Sequence, residues 1–365
     1  MKAARTQHEM FMDEALKLGA KGLGWTNPNP MVGAVIVKNG KIIGRGYHKR
    51  AGGPHAEIEA LAGAGAHARG ATLYVNLEPC AHFGKTPPCV EAIINAGIKR
   101  VVCSAIDPNP RVQGRGIARL KQFGISVSVG VRKEQARSLN EAFFVFHEKR
   151  RPFVALKFAM SLDGKLASRT GDSQWLTGEK ARAFARDLRG AYQAILVGVN
   201  TVIRDTPHLG VRTKGMKDPM RIILDSRLRI PMNAPVLRDA NVIIAITSSA
   251  PKVKIKNLEK RGIRVLIFKG ARISIPKLLA ELRKQEIISV FVEGGGDILG
   301  SFIDAKIADT VYVFCAPLLV GGAGAVSIGG KGVQKIARAL RFKTVSVKSF
   351  GDDVLIVASG DTIEN

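Results

Sequence analysis

Cysteine is scarce in this 365-residue sequence, which holds only Cys80, Cys89, Cys103 and Cys315. Four in so long a chain make no disulfide framework, and a reducing cytoplasm suits them. Acidic residues are also short: 30 Asp and Glu face 56 Lys and Arg, for a net charge of +26. Such a surface attracts anions, whether nucleic acid, anionic lipid or phosphorylated small molecules. The cations are spread along the chain with no polybasic tail, which favours a generally cationic surface over a dedicated nucleic-acid arm. Long apolar runs are missing as well. Glu9, Asp13 and Glu14 interrupt any signal-peptide core at the N-terminus. Val311 to Gly330 is free of charge and about the length of a membrane span, but Pro317 and five glycines break it. Its apolar part, VYVFCAPLLV, is β-branched and aromatic like a buried strand, so a soluble protein with no membrane partner is expected. Neither an internal repeat nor a low-complexity segment is present.

What is there fills two domains, because a chain of this length exceeds the usual limit of one hydrophobic core. In the first half an amphipathic helix around Glu9 to Leu18 precedes the loop TNPNP. Two β-type runs follow, Val32 to Val37 and Lys41 to Tyr47, joined by Asn39-Gly40, a strong hairpin signal. A helix is expected to start near His55, and ATLYVNL, RVVCSAI and ISVSVG read as further strands of a mixed sheet covered on both faces. The charged segment His147 to Pro152 reads as the linker, giving domains 1–149 and 150–365. Beyond it strand and helix alternate again: PFVALKFAM, AILVGV, RIILD, VIIAIT, RVLIF, SVFVEG, VYVFC, VSVKSF and VLIVAS mark a second α/β domain.

The chemistry of the first domain is written in His55-Ala56-Glu57, Pro79-Cys80 and Cys89. A catalytic zinc takes three protein ligands and keeps a fourth position open, which one imidazole and two thiolates satisfy. Such a metal brings the pKa of water down to about 7. Glu57, two residues past the histidine and not a ligand, is placed to move that water's proton to a departing amine. H-x-E with P-C-x-x-C is the signature of zinc nucleobase deaminases. Here eight residues, AHFGKTPP, separate the cysteines instead of two. Buried thiols and a capping histidine are the bland reading of each residue alone, and the combination outweighs it. Cys103 and Cys315, inside strand patterns, are expected in the core.

TNPNPMVGAVIV, GYHKRAGGPHAE, NLEPCAHFGKTPPC and DPNPRVQGRG, in that order, closely resemble the bacterial bifunctional riboflavin biosynthesis proteins. That family joins a diaminohydroxyphosphoribosylaminopyrimidine deaminase to a 5-amino-6-(5-phosphoribosylamino)uracil reductase, and the eight-residue cysteine spacing is its own. The resemblance implies an α/β protein with an N-terminal cytidine-deaminase-like three-layer domain and a C-terminal dihydrofolate-reductase-like domain. It also implies that Asn27 and Asn29 border the pyrimidine, where turn chemistry is an equally good account, and that His82 and Lys85 lie near the substrate.

In the second domain Glu293-Gly294-Gly295-Gly296-Asp297 follows the strand SVFV and precedes a helix. Glycines at such a turn let backbone N–H groups approach a diphosphate, although a tight turn needs them too. KFAMSLDGKLAS, GDSQWLTG, LRGAYQAILVGVNTVIRDTPHL and FVEGGG resemble the reductase domain of the same family. The resemblance implies that NADPH is bound by Ala159, Trp175, Thr201, Asp205, Ser226, Gly295, Gly296, Asp297, Ile298, Leu299, Gly300 and Ser301. It assigns Ser173, Arg189, Leu209, Arg212 and Glu293 to the substrate. Guanidinium groups at Arg189 and Arg212 suit a ribose phosphate, and Lys157 and Glu293 are candidates to orient or protonate the opened sugar. Zinc, NADPH and phosphorylated pyrimidines are therefore the expected ligands, in a cytoplasmic homo-oligomer with no specific nucleic-acid partner. A tRNA or nucleobase zinc deaminase with an accessory domain is the alternative; the long cysteine loop and the dinucleotide features of the second half count against it. A binding protein that retains only the fold would have lost Glu57 or a ligand.

Overall fold

The computed structural model describes residues 5–81, 87–213 and 215–360. It divides the chain into two compact units, Met1–Arg150 and Arg151–Asn365.

In the first unit α1 (Gln7–Ala20) starts at a capping box, with the Thr6 hydroxyl accepting from the Glu9 amide and the Glu9 carboxylate accepting from the Thr6 amide. Strands β1 (Gly33–Lys38) and β2 (Lys41–Tyr47) pair antiparallel through Asn39-Gly40. Both turn residues have positive φ, 49° and 73°, the conformation that makes Asn-Gly a hairpin signal. Then come α2 (Ala56–Ala64), β3 (Thr72–Leu77), α3 (Cys89–Asn95), β4 (Arg100–Ala105), α4 (Arg115–Gln122), β5 (Ser126–Val129), α5 (Lys133–Leu139) and α6 (Glu141–Glu148). The sheet order is β2-β1-β3-β4-β5, antiparallel about β1 and parallel from β3 to β5.

Alternation along β1 explains the three layers. Ala34 and Ile36 join Leu73, Val75, Val101 and α2, α3 and α4 in one core, while Val35 and Val37 join Tyr74, Val102 and α1 in the other. Helix α2 lies very close to β2. A Cβ on Gly44 would stand 2.2 Å from the Ala60 carbonyl oxygen, and one on Gly46 2.2 Å from that of Ala56. Only glycine at both positions lets the helix seat, and the seat fixes its first residues. Gly46→Ala is therefore expected to destabilise the unit by about 1–3 kcal/mol, the usual cost of overpacking, with a matching fall in denaturant midpoint. The expected linker is shorter than its charge suggests, because the apolar run Phe143 to Phe146 carries α6 through His147 and Glu148.

The second unit contains β6 (Phe153–Ser161), α7 (Glu179–Leu188), β7 (Ala194–Gly198), α8 (Val199–Asp205), β8 (Met220–Leu224), β9 (Val242–Thr247), α9 (Lys252–Lys260), β10 (Arg264–Phe268), α10 (Ile275–Lys284), β11 (Ser289–Val292), α11 (Gly296–Asp304), β12 (Thr310–Ala316), β13 (Phe342–Phe350) and β14 (Asp353–Gly360). One sheet runs β10-β9-β8-β7-β11-β6-β12-β14-β13. From β10 to β12 every pair is parallel, and the β13–β14 hairpin closes the far edge antiparallel. Central strands are buried on both faces: Ala194 and Leu196 belong to one apolar cluster, Ile195 and Val197 to the other. Strand β11, late in sequence, is inserted between β6 and β7, and the carboxyl ends around such a reversal are where open α/β sheets bind ligands. No helix among the described residues is long and apolar enough to cross a membrane; the charge-free stretch is β12 followed by a glycine-rich loop. Cys103 is fully buried as expected. Cys315 is only half-buried, because it shares with Val311 and Val313 the partly covered face of β12.

Candidate functional site

In the first unit His55 is the N-cap of α2 and Cys89 the first residue of α3, while Cys80 follows β3 by three residues. One ligand atom from each lies within 4.8 Å of the others, the only such His/Cys/acid group among the described residues. The His55 Nδ1 is 3.2 Å from the Cys89 Sγ and 3.6 Å from the Cys80 Sγ. Tetrahedral zinc, with bonds of about 2.3 Å to sulfur and 2.0 Å to nitrogen, requires ligand separations of roughly 3.3–3.8 Å, so the set fits. The two thiols titrate as a pair: hydrogen bonding from Cys89, then from His55, pulls Cys80 down to about 4, and Cys89 is pushed up in consequence. A thiolate is thus available to a metal at neutral pH.

Glu57, one residue inside α2, is 3% exposed. Burial, then the Cys80 thiolate, raises its carboxyl to about 7. Two other buried groups, His48 and Glu78, make contacts to which the sequence motifs assigned no role. His48 is buried, with its Nδ1 2.9 Å from the Pro54 carbonyl oxygen, its Nε2 3.1 Å from Asn29 Nδ2 and its ring 5.3 Å from that of His55. Burial holds it below the usual imidazole range. Asn29 therefore faces this site through His48, whereas Asn27 contributes a cis bond to Pro28. The buried Glu78 carboxylate accepts the amides of Asp107, Gly114 and Ile117, which ties the segment NLEPC to DPNPRVQGRG. His82 and Lys85 lie outside the described residues.

The second unit gathers its residues at the carboxyl ends of four adjacent parallel strands, β8, β7, β11 and β6. Ala159 is near the end of β6, Thr201 and Asp205 are on α8 after β7, Ser226 follows β8, and Gly295 to Ser301 open α11 after β11. Glycine here serves packing as well as approach. A Cβ on Gly296 would lie 2.1 Å from the Ser327 carbonyl oxygen and one on Gly300 2.3 Å from that of Gly329, whereas Gly295 faces open space. Ile298 lies against Gly198 and Gly294, and Leu299 is fully buried, so its side chain belongs to the core. The Ser301 hydroxyl is occupied by the Asp297 carbonyl at 2.7 Å, while Asp297 itself is exposed.

Glu293, next after β11, receives Arg189 in a bidentate pair at 3.1 and 2.7 Å. Burial would raise its carboxyl, but Arg189 and then Lys157 outweigh that and hold it below the usual range. The other Arg189 nitrogen donates to the Gly210 carbonyl at 3.2 Å. Arg189 thus engages Glu293 and is not the free helix-end cation that its place at the end of α7 allows. Leu209 is buried in the core with φ of +55°, and Arg212 is exposed three residues on. Ser173 is exposed on the loop before α7, as is Trp175 at 67%, with the Arg182 guanidinium 4.3 Å from its ring centre.

Two family models divide the chain at these units: the cytidine and deoxycytidylate deaminase zinc-binding region matches residues 5–105, and the RibD C-terminal domain matches 152–356. The riboflavin biosynthesis protein RibD of Aquifex aeolicus is 47% identical over 95% of this chain and 96% of its own length. Among solved structures, form 1 of the Acinetobacter baumannii RibD aligns with TM-score 0.90 at 37% identity over 98% of this chain and 99% of that one. The Thermotoga maritima diaminohydroxyphosphoribosylaminopyrimidine deaminase/5-amino-6-(5-phosphoribosylamino)uracil reductase aligns with TM-score 0.84, also at 37%, over 97% and 99%. Matches that run through both units do not favour a nucleic-acid deaminase with an accessory domain. A deaminase fold with a zinc-type ligand set and a reductase fold sharing one chain along its full length make this protein a member of the bifunctional riboflavin biosynthesis deaminase–reductase family.

Proposed function

We propose that the first unit, residues 1–149, deaminates the phosphoribosylamino diaminopyrimidinone with zinc held by His55, Cys80 and Cys89, and that residues 150–365 reduce its ribosyl side chain to ribityl with NADPH. The observation that carries the first half is the three-ligand cluster beside a buried carboxyl. When bound, zinc supplies a Lewis acid that makes water nucleophilic at neutral pH. Glu57 takes a proton from the attacking water and delivers it to the leaving amine, a task for which its buried place beside the ligand cluster suits it.

For the second half, the support is the crevice at the carboxyl ends of β8, β7, β11 and β6. NADPH supplies the hydride when bound. Ala159, Trp175, Thr201, Asp205, Ser226 and the segment 295–301 would hold it, with Leu299 and Gly300 contributing backbone and packing only. Ser173, Leu209, Arg212 and the Arg189–Glu293 pair border the substrate in this reading, Arg212 offering its exposed guanidinium to the phosphate. The cytoplasmic location and self-association expected from the sequence belong to the same reading.

Metal analysis and two assays test it. Purified protein should contain one zinc per chain, largely lost in Cys80→Ser. It should release ammonia from the diaminopyrimidinone and oxidise NADPH when the deaminated pyrimidine is supplied. Arg212→Ala should raise the reductase KM for the phosphorylated substrate while ammonia release continues unchanged. Full zinc in Cys80→Ser, or deamination of a base within tRNA, would overturn the reading.

A further inference from the structure

Arg221 is the largest fully buried side chain among the described residues, 1% exposed, on β8 between Ile195 of β7 and Val242 of β9. Its Nε and one terminal nitrogen find no acceptor among the described residues. Burying a guanidinium so poorly satisfied is costly, and what it obtains is a single partner, Asp239, half-exposed in the turn just before β9. Asp239 accepts the Asn241 amide at 2.8 Å and lies 3.5 Å from the Arg238 Nε. Arg238 then spends its two remaining nitrogens on the same stretch of chain, donating to the His208 carbonyl and to the Asp218 carboxylate, each at 2.8 Å. Asp218 accepts the Val211 amide at 2.8 Å, and its oxygens occupy the place where a Cβ on Gly210 would be, 2.8 and 2.9 Å away.

The segment His208-Leu209-Gly210-Val211 is thus gripped from two sides. Arg189, the partner of Glu293, holds the Gly210 carbonyl; Arg238 and Asp218 hold the neighbouring His208 carbonyl and Val211 amide. Leu209 sits between the grips in the left-handed conformation, φ +55°, which a non-glycine residue keeps only where its surroundings over-determine it. We infer that Arg221, Asp239, Arg238 and Asp218 form a chain of alternating charge that positions residues 208–212 for the pyrimidine substrate of the reductase. These are positioning residues that touch no substrate themselves. The inference rests on the proposed reductase function, because Leu209 and Arg212 matter to binding only if that segment borders the substrate.

The test uses the full-length enzyme, assayed for NADPH oxidation with the deaminated pyrimidine and for ammonia release with the diaminopyrimidinone. In Arg238→Ala, the loss of two charged hydrogen bonds that order the segment should raise the KM for the pyrimidine about tenfold. The kcat, the KM for NADPH and ammonia release should stay within about twofold of wild type. Arg238→Lys should not restore the KM, since an ammonium cannot reproduce the fork that spans His208 and Asp218. Arg221→Met should give the same KM rise with a melting temperature at or above that of wild type, because an apolar side chain of similar length removes a poorly satisfied buried charge. An unchanged pyrimidine KM in both Arg238→Ala and Arg221→Met would overturn the inference, as would an equal rise in both substrates' KM with a lowered melting temperature. Failure of wild type to oxidise NADPH with this pyrimidine would instead overturn the reductase reading beneath it.

Discussion

Glu57→Gln is expected to abolish ammonia release while zinc content, fold and NADPH oxidation persist. The amide keeps the shape of the side chain but can neither accept the water's proton nor deliver it to the amine. Positioned acid–base catalysis is worth about 10²–10⁴-fold, and since one residue serves both transfers the upper end is expected. A second, opposite-signed effect follows from burial. The folded carboxyl lies at about 7 against 4.5 ordinarily, chiefly through desolvation, so the folded protein binds a proton that the unfolded chain has released. That costs stability progressively as pH rises from about 4.5 to 7. Glu57→Gln should therefore melt with wild type at pH 4 and above it at pH 8. Melting of zinc-stripped protein at both pH values checks this, and a loss of ammonia release with zinc also lost would assign Glu57 a structural role.

Arg189→Ala is expected to have the largest effect in the second unit. It leaves Glu293, whose side chain is 12% exposed, without its bidentate partner, and breaking a buried pair from one side costs about 3–5 kcal/mol. The sign with pH follows from the lowered carboxyl. In wild type the pair's contribution is complete above the ordinary carboxylate pKa and is lost as pH falls through the lower folded value. The gap between wild type and Arg189→Ala should thus be widest at pH 7 and narrow below pH ~4. Urea midpoints at pH 7 and pH 3.5 measure it. NADPH oxidation should be lost in this variant even at temperatures where it stays folded, since the Gly210 contact goes with the same side chain, and ammonia release should continue. A gap that does not change with pH would show that Glu293 is not the group left exposed by the substitution.

The His55, Cys80 and Cys89 cluster was legible because metal chemistry restricts both residue type and order: one imidazole, two thiols and a carboxyl at a fixed offset have few other uses together. The hairpin was legible at Asn39-Gly40 for the same reason, since few dipeptides accept two positive φ values. The resemblance carried the second site, and there the structure corrects the emphasis. Leu299 and Leu209 are core side chains, and Gly296 and Gly300 are required by the Ser327–Gly330 backbone. A sequence pattern cannot separate a glycine that admits a ligand from one that admits a neighbouring loop. Glu78 and Arg238 were invisible because what they do depends on partners far away in sequence: 29 to 39 residues for the amides of Glu78, 30 for the His208 carbonyl of Arg238. The sheet order was equally hidden, since the parallel strands are all similar apolar runs and nothing in β11 names its neighbours.

That order bears on how the chain is made. The first unit is complete once residue 150 has been synthesised, and every strand of its sheet is drawn from within it. The second cannot close until far later: β6 and β7 have no direct pairing, and the strand that joins them, Ser289–Val292, arrives 128 residues after β6 ends at Ser161. Until then β6 has no partner, because both of its neighbours, β11 and β12, come later, while β7 keeps an open apolar edge and the crevice at the carboxyl ends lacks both the glycine turn and Glu293. Such long-range pairing is slow and exposes strand edges during synthesis. A ribosome stalled before residue 289 would carry a finished deaminase unit joined to an aggregation-prone half sheet.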